Sequence, residues 1–342
     1  MKVFVTGAAG LLGRWVCKRL LARGDDVIAV DNRSRYMLFD ERREQPWPDE
    51  LRHPKCLRVE ESFYSDDALA LMREERPDAV VHCAAQTSHP HSISIPYKDF
   101  EVNAIGTLKL LESLRDEDRW RGGPRPRLVN IGSAKVYDME RARHYAEGET
   151  RFYPWCGLVD EKWPVGGFIT PFGVSKLAAA QYVLNYARLY GIDAVTLHPG
   201  CFTGPGSLAL EKQNWAPWLV GAMVRGESFP VFGFGGKQVR DLLHVDDLAR
   251  AVLACVDAGA FVGQAFNVAG GPGRDVSILE AVALVAEITG RRGSLEFHPQ
   301  READWRWFVG DNAAITKALG WTPEIGLRQI FEELCAEARA AS

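Results

Sequence analysis

A glycine-rich segment near the N-terminus constrains the fold more than any other feature. The apolar run Val3-Phe-Val5 predicts a buried strand, and Thr6-Gly7-Ala-Ala-Gly10-Leu-Leu-Gly13 follows it directly. Apolar residues at 15, 16, 20 and 21 then predict a helix over residues 14–23. Three glycines at this spacing suit a tight turn, a close approach of the backbone to a pyrophosphate, and close packing of helix on strand. An ordinary strand–turn–helix without a ligand is the alternative.

The second predicted strand ends at an acidic residue. Val27-Ile-Ala-Val30 is followed by Asp31, which lies 24 residues after Gly7. A carboxylate at this point can accept hydrogen bonds from both ribose hydroxyls, and it repels a 2′-phosphate. The segment therefore predicts NAD rather than NADP, although Arg33 keeps NADP open as an alternative.

Strands and helices alternate through the first 200 residues. Further strands are predicted over 79–82, 128–131 and 193–197, and helices over 69–76, 102–114 and 173–190. This alternation predicts an α/β fold with a Rossmann-type doubly wound parallel sheet. After residue 200 the rhythm changes, with a strand near 265–268 and helices near 278–289 and 312–319. We therefore predict an NAD-binding domain over 1–200, with returning segments near 240–270. A smaller C-terminal α/β substrate lobe is predicted mainly over 201–342.

Composition excludes several classes of function. Lys plus Arg number 41 against 45 for Asp plus Glu, so no basic excess points to a nucleic-acid partner. The seven cysteines form no C-x-x-C pair, which predicts no metal site, no disulfide framework, and reduced thiols in a cytoplasmic protein. No apolar stretch reaches the roughly 18 residues that a membrane span needs, and no leader precedes the first strand. We therefore expect neither membrane association nor secretion.

The glycine spacing and six later stretches together resemble the extended short-chain dehydrogenase/reductases, which include NAD-dependent epimerases and dehydratases. The matches run in family order from residue 3 to about residue 325. The later stretches are His82-Cys-Ala-Ala85, Asn103-Ala-Ile-Gly-Thr107, Ser133-Ala-Lys-Val-Tyr137, Phe172-Gly-Val-Ser-Lys176, Arg240-Asp-Leu-Leu-His-Val-Asp-Asp247 and Arg301-Glu-Ala-Asp304. Within the family the chain is most similar to the CDP-tyvelose (CDP-paratose) 2-epimerase subfamily, over residues 84–88, 135–137, 149–152, 201–205, 236–241 and 301–309.

The resemblance implies an activity and an assembly. The implied enzyme is an isomerase that oxidises a ring carbon of a CDP- or UDP-sugar to a ketone and reduces it on the other face. The oxidised carbon is C2 if the subfamily likeness holds. A homodimer paired through the helices at 102–114 and 173–190 is implied too, with Ala178-Ala-Ala180 and Leu184 at the contact.

Individual residues take implied roles from the family motifs. The catalytic serine, lysine and tyrosine positions fall on Ser133, Lys176 and Phe172. The implied cofactor contacts are Gly7, Gly10, Leu11, Leu12, Gly13, Asp31, Asn32, Arg33, Ser62, Phe63, Ala84, Ala85, Gln86, Asn103, Ile131, Lys176 and Pro199. The implied substrate contacts are Thr87, Ser88, His89, Ser133, Cys201, Gln213, Asn214, Trp215, Arg240 and Arg301. Ser62 departs from the family, where an aspartate often binds the adenine amino group.

Phe172 departs from the family pattern in a way that affects the chemistry. The family's tyrosine moves the proton, and the lysine one helical turn later lowers the tyrosine pKa and holds the nicotinamide ribose. Three explanations are open: the residue was changed on purpose, another group moves the proton, or the protein binds a nucleotide sugar without turnover. Candidates for another group are Lys135, Cys201, His89 and His91.

Other functions on the same fold stay open. A nucleotide-sugar decarboxylase or a simple dehydrogenase/reductase is one alternative, and a non-catalytic NAD-binding protein is another. A 4,6-dehydratase fits less well, because Ala134-Lys135 stands where resembling dehydratases carry an Asp-Glu pair. Four tryptophans are predicted either to border the sugar and base or to pack the lobes: Trp155, Trp163, Trp215 and Trp218.

Overall fold

The computed structural model describes residues 1–34, 46–116, 120, 123–142, 144–211 and 213–341. The strands are β1 (Lys2–Thr6), β2 (Asp26–Val30), β3 (Cys56–Val59), β4 (Ala79–His82), β5 (Arg127–Ile131), β6 (Tyr145–Glu147), β7 (Phe152–Pro154), β8 (Ala194–Pro199), β9 (Cys201–Thr203), β10 (Ser228–Phe232), β11 (Val239–His244), β12 (Val262–Val268), β13 (Asp275–Ser277), β14 (Ser294–His298) and β15 (Trp307–Phe308). The helices are α1 (Leu11–Arg23), α2 (Asp66–Glu75), α3 (His89–Ser92), α4 (Pro96–Phe100), α5 (Gly106–Arg115), α6 (Pro171–Tyr190), α7 (Trp215–Arg225), α8 (Val245–Asp257), α9 (Ile278–Thr289), α10 (Ala313–Leu319) and α11 (Leu327–Ala340). Among these described elements, no helix combines the length and apolar character that crossing a membrane requires.

The chain divides into two compact units. The first contains Met1–Lys135, Pro171–His198 and Ala249–Phe266. The second contains Val136–Thr170, Pro199–Leu248 and Asn267–Ser342. This division differs from the predicted boundary at residue 200, because the segment 136–170 belongs to the second unit.

The first unit is built on a seven-stranded sheet in the order β12-β8-β5-β4-β1-β2-β3. Neighbouring strands from β8 to β3 pair in parallel. Their apolar runs are buried, as Phe4, Val80 and Leu128 show with an exposed fraction of 0% each. Strand order reverses at β1, which lies between β4 and β2, and such a point is where doubly wound sheets bind dinucleotides. The predicted Rossmann-type α/β fold is confirmed.

Two helices of the first unit differ from their predicted bounds. α1 begins at Leu11, three residues before the predicted start, because Leu11 and Leu12 are buried and Gly10 is already extended. The helix predicted over 102–114 consists of two elements. A π-helical turn covers Glu101–Ile105, and α5 continues from Gly106.

The second unit holds smaller sheets around an apolar core. β11 pairs with β13, β15 and β9, β10 pairs with β14 in parallel, and β6 with β7 forms an antiparallel hairpin. Helices α7, α9 and α11 pack on one another, with Leu219, Val285 and Phe331 fully buried. Arg151, beside the hairpin, donates to Glu280 at 2.7 and 2.6 Å and to Asp275 at 2.5 Å. These bonds explain why the segment 136–170 belongs to the second unit.

Candidate active site and cofactor loop

The glycine-rich turn after β1 has no room for side chains. Gly7 adopts a left-handed φ of 67°, and a Cβ there would lie 2.6 Å from the amide nitrogen of Ala84. A Cβ on Gly13 would lie 2.0 Å from the carbonyl oxygen of Gly7. Gly10 donates to that same oxygen at 3.0 Å and precedes α1 without any side-chain cap. The turn therefore fits a pyrophosphate held by backbone N–H groups at the start of α1.

Asp31 lies against this turn. Its Oδ2 accepts a hydrogen bond from the Ala9 N–H at 3.0 Å, and its Oδ1 accepts one from the Arg33 N–H at 2.6 Å. The guanidinium of Arg33 pairs with the carboxylate of Glu60. A negative charge beside the turn, with the nearby arginine engaged by a glutamate, favours ribose hydroxyls over a 2′-phosphate.

Three predicted cofactor contacts, Asn32, Ser62 and Phe63, differ in the groups that they expose. The Phe63 ring is 5% exposed and lies 4.6 Å from the His82 ring, centroid to centroid. A Cβ on Gly106 would lie 2.6 Å from the Phe63 ring, so this glycine makes room for it. Ser62 is half-buried. The Asn32 side-chain oxygen accepts hydrogen bonds from the backbone N–H and the hydroxyl of Ser34. The Phe63 ring therefore packs inside the unit, against His82 and Gly106. The predicted cofactor contact of Phe63 would then be made by its backbone.

His82 is a buried polar residue that the sequence analysis did not assign to the site. Its Nε2 lies 3.1 Å from the Thr107 hydroxyl, which donates to the Asn103 carbonyl at 2.6 Å. Nε2 must therefore carry the proton, and Nδ1 accepts from the Thr6 hydroxyl at 2.7 Å. Burial lowers the pKa of His82 to about 3, so the ring is neutral. The Thr6 hydroxyl also accepts from the Ala84 N–H at 3.2 Å, which fixes the loop after β4.

Asn103 holds the backbone of that loop. Its Oδ1 accepts from the Gln86 N–H at 2.9 Å, and its Nδ2 donates to the Gln86 carbonyl at 3.2 Å. The Gln86 side chain folds back to donate to the Ser88 carbonyl at 3.0 Å. Ser88 in turn caps α3 by accepting from the His91 N–H at 3.2 Å, while Thr87 is exposed. The loop therefore uses Gln86, Ser88 and Asn103 to set its own shape.

Three predicted catalytic positions come together between β5 and α6. The Lys176 ammonium donates to the Ile131 carbonyl at 2.8 Å, and Ser133 lies two residues after Ile131. The Ser133 hydroxyl accepts from the Lys135 N–H at 3.1 Å. Lys176 is 8% exposed, and burial lowers its pKa to about 8. Phe172 lies one turn earlier on α6 and is 7% exposed.

The start of α6 is joined to the helix that carries two candidate histidines. The Phe172 N–H donates to the Ser92 hydroxyl at 3.0 Å, and that hydroxyl donates to the His89 carbonyl at 2.7 Å. His91 lies on the same short helix, α3. The two histidines proposed to replace the missing phenol therefore lie on an element bonded to residue 172.

His198 is a second buried residue that the sequence analysis did not find. Its Nδ1 lies 3.3 Å from the backbone nitrogen of Ser133 and 3.1 Å from the backbone carbonyl oxygen of Ser133. A Cβ on Gly132 would lie 2.6 Å from this nitrogen, so the glycine makes room for the ring. Burial lowers the pKa of His198 to about 4 and keeps the imidazole neutral. β8 pairs with β5, which Ser133 follows, so a polar residue at the end of β8 is the signal that could have identified His198. Pro199, predicted at the cofactor, is the first residue of the next second-unit segment.

Both predicted phosphate-binding arginines lie in the second unit and have carboxylate partners. Arg240 donates to Asp304 at 2.7 Å. Arg301 donates to Glu211 at 2.9 Å, and its guanidinium carbon lies 3.6 Å from the centroid of the Phe232 ring. An arginine has five N–H donors, so each retains donors for a diphosphate beside its carboxylate.

The start of α7 presents two buried polar atoms without partners. Asn214 donates to the Phe202 carbonyl at 3.0 Å, which fixes its side chain. The Oδ1 of Asn214 and the Nε1 of Trp215 are buried, and neither has a hydrogen-bond partner among the residues that the structure describes. Buried polar groups are nearly always paired, so an adjacent free acceptor and free donor point to a ligand. Gln213 and Cys201 are half-buried in the same unit.

The other tryptophans divide between packing and surface. Trp218 is partly buried, packs on Phe229 with ring centroids 4.7 Å apart, and lies against the core of the second unit. Trp163 donates to the Asp138 carbonyl at 3.0 Å. Trp155 is 79% exposed. Of the four, Trp215 is the one whose polar atom supports the predicted substrate contact.

Comparison with known proteins places the chain in a family. The pattern of the NAD dependent epimerase/dehydratase family matches residues 3–269. The chain is 32% identical to CDP-paratose 2-epimerase of Salmonella typhi, over 98% of each chain. The chain belongs to the NAD dependent epimerase/dehydratase family. It is also 31% identical to UDP-glucose 4-epimerase of Mycolicibacterium smegmatis, over 96% of each chain.

Solved structures agree with the family assignment. UDP-glucose 4-epimerase of Thermotoga maritima, determined with UDP-glucose, is similar at a TM-score of 0.82 and 26% identity, over 100% of this chain and 99% of that one. UDP-glucose 4-epimerase of Thermus thermophilus, determined with NAD, is similar at a TM-score of 0.80 and 26% identity, over 100% of each chain. The predicted family resemblance, the NAD cofactor and the enzyme class are confirmed.

Proposed function

We propose that the protein is an NAD-dependent nucleotide-sugar epimerase that inverts one ring carbon of a CDP- or UDP-sugar. The names of its relatives, a CDP-paratose 2-epimerase and several UDP-glucose 4-epimerases, support this substrate class. The observation that carries the proposal is the bond from the Lys176 ammonium to the Ile131 carbonyl. It brings a lysine and a serine hydroxyl to the same end of the sheet as the glycine turn.

Each group of predicted site residues would have its own role. NAD, when bound, supplies a hydride acceptor that returns the hydride to the opposite face of the sugar. Ser133 would hydrogen-bond the reacting oxygen, and Lys176 would hold the ribose and favour negative charge on that oxygen. Arg240 and Arg301 would bind the diphosphate, since the planar guanidinium matches phosphate oxygens. Asn214 and Trp215 would offer an acceptor and a donor to the nucleotide part.

Phe172 has no hydroxyl, so we propose that another group moves the proton. Comparing the turnover of Phe172→Tyr with that of the unmodified protein tests whether another group moves the proton. The comparison is informative because Ser133 and Lys176 are the family's partners of a phenol at position 172. A phenol that restores a missing step raises turnover by about 10²–10⁴-fold, the usual contribution of a general acid–base group. An unchanged or lower rate supports a different proton carrier, such as His89 or His91.

The experiment that tests the function identifies what the protein holds and what it makes. Denaturing the purified protein is expected to release NAD, and NMR is expected to detect a second epimer from a CDP- or UDP-sugar. Lys176→Ala should abolish this activity, whereas Lys98→Ala, which removes an exposed lysine paired with Glu101 at 3.0 Å, should not. A non-catalytic NAD-binding protein would bind NAD but form no epimer. No turnover in the unmodified chain or in Phe172→Tyr, across a broad sugar panel, contradicts the proposal.

We also propose that the protein acts in the cytoplasm. None of the seven cysteines, all of which lie in the described ranges, forms a disulfide bond. Reduced thiols fit the reducing environment of the cytoplasm, where structural disulfides are rare.

A homodimer is proposed for the same protein. The outer face of α4, the turn after it and α6 carries large apolar side chains, and α4 and α5 pack against α6. Exposed fractions are 94% for Tyr97, 43% for Ile105 and 43% for Tyr182. Ala179 and Ala180, predicted at the contact, are instead buried within the unit at 3% and 1%. The proposed contact therefore involves the exposed aromatic and aliphatic residues of these helices.

A further inference from the structure

Asp99 is a buried acid that the predicted site does not include. It lies on α4 and is 0% exposed. Its Oδ2 accepts a hydrogen bond from the Ser175 hydroxyl at 2.5 Å, and its Oδ1 accepts one from the Asn103 amide at 3.3 Å. Both donors are neutral, and a buried carboxylate is unfavourable unless an opposite charge lies near it.

Lys176 is a buried cation that has no charged partner in direct contact among the described residues. Its side chain is buried, and its ammonium donates to the neutral carbonyl of Ile131. No carboxylate within the described ranges forms an ion pair with it at direct contact distance. Ser175 precedes Lys176 on α6, and α4 packs against α6. The hydroxyl of Ser175 therefore joins the helix that carries the acid to the helix that carries the lysine.

We infer that Asp99 is a positioning residue that keeps Lys176 protonated and holds the start of α6 in place through Ser175. The inference rests on the proposed function, in which Lys176 belongs to the reacting set. It extends that set to an acid on a neighbouring helix that touches neither substrate nor cofactor.

The other titratable groups that face Lys176 cannot supply its counter-charge near neutral pH. Within the described part of the chain, the groups that interact electrostatically with Lys176 are His82, Cys83, Asp99 and His198. Burial lowers the pKa of His82 to about 3 and that of His198 to about 4, and it raises the pKa of Cys83 to about 12, so all three are neutral. Burial also raises the pKa of Asp99, but the Ser175 bond and the charge of Lys176 both favour its ionised form.

The inference gives the direction of a measurable change. Burial lowers the pKa of Lys176, and the charge of Asp99 opposes that effect. Asp99→Asn keeps the shape and an acceptor for Ser175 but removes the charge, so Lys176 should lose its proton at lower pH. In a plot of activity against pH, any limb that depends on the protonation of Lys176 should then move to lower pH. This holds whether the reaction needs the ammonium or the amine. Loss of packing alone would reduce activity without moving this limb.

The test titrates Lys176 in the 342-residue chain loaded with NAD. Lysines carry ¹³C at the ε carbon, and the spectrum of Lys176→Arg assigns the signal. Asp99→Asn is expected to lower the midpoint by about 1–3 pH units, the usual effect of an adjacent opposite charge. Glu101→Gln is the matched control, since it removes an exposed carboxylate two residues away that pairs with Lys98. It should leave the midpoint unchanged.

A second variant keeps the inference falsifiable if Asp99→Asn fails to fold. Ser175→Ala removes the bridging hydroxyl and destabilises the ionised carboxylate, so it should lower the midpoint in the same direction by a smaller amount. An unchanged midpoint in a folded Asp99→Asn or, failing that, in Ser175→Ala overturns the inference. The titration needs no turnover. A protein that epimerises no sugar would contradict the proposed function and still decide the role of Asp99.

Discussion

Replacing Asp31 by asparagine tests the cofactor preference that the structure supports. The Asp31 carboxylate accepts hydrogen bonds from the backbone N–H groups of Ala9 at 3.0 Å and Arg33 at 2.6 Å, so its position beside the glycine turn is fixed. A 2′-phosphate placed where a ribose hydroxyl binds brings two negative charges to about 4 Å. At an effective dielectric constant near 20 their repulsion is about 4 kcal/mol per pair of unit charges. Salt and the partial exposure of Asp31 reduce this repulsion to about 1–3 kcal/mol, or roughly 5–150-fold in affinity.

The assay is the ratio of NAD to NADP dissociation constants, measured by calorimetry at fixed salt. The unmodified protein should prefer NAD, and Asp31→Asn should reduce that preference by roughly 5–150-fold. Glu60→Gln should reduce the preference further when added to Asp31→Asn, because it removes a carboxylate that pairs with the Arg33 guanidinium and repels a phosphate. Asp26→Asn, at the exposed opposite end of β2, is the matched control. Equal affinity of the unmodified protein for both cofactors, or an unchanged ratio in Asp31→Asn, refutes the reasoning.

Three further predictions follow from the first unit. Gly13→Ala should abolish NAD binding, because its Cβ would lie 2.0 Å from the Gly7 carbonyl oxygen, whereas Gly259→Ala, with open space around it, should bind normally. The free energy of unfolding should fall as pH drops from about 6.5 to 4, because the unfolded chain gains a proton that buried His198, with its pKa lowered to about 4, cannot accept. His198→Asn should flatten this dependence in urea titrations at several pH values. Tyr182→Arg should give a monomer in light scattering, and an unchanged dimer mass would count against the proposed face.

Local signals were strong enough to predict several elements in each unit. The strand predicted over 79–82 is β4, and the helix predicted over 278–289 in the second unit is α9. α9 begins with a capping box in which Ser277 and Glu280 bond each other's backbone, a signal that lies entirely within four residues. Short apolar runs bounded by glycine or a cap identify such elements without any tertiary information.

Some of the elements that were missed depend on contacts far apart in the sequence. β10 pairs with β14, and Ser228 lies opposite Ser294, 66 residues later. No local pattern predicts which strand such a segment pairs with. α11 was missed although Leu327, Ile330 and Phe331 repeat at helical spacing, a pattern that could have been found. The segment 136–170 joins the second unit through ion pairs, which likewise depend on distant residues.

The same distinction holds for the site. Motif spacing predicted that the glycine turn, Asp31 and Lys176 are site residues, and the structure gives each a geometry suited to its predicted role. Asp99 and His198 are linked to the candidate site only by hydrogen bonds with Ser175 and Ser133, so no spacing along the chain identifies them. Their signal appears only when the hydrogen bonds of each buried polar group are followed.

The central claim is that a sugar carbon is oxidised and reduced again within one site. The most direct measurement uses CDP- and UDP-sugars that carry deuterium on the ring carbon under test, incubated with the NAD-loaded protein in ordinary water. The account predicts that NMR detects the second epimer with deuterium retained on that carbon, and that no free NADH accumulates. Exchange of the deuterium for solvent hydrogen in the epimer, or net NADH formation without any epimer, would contradict it.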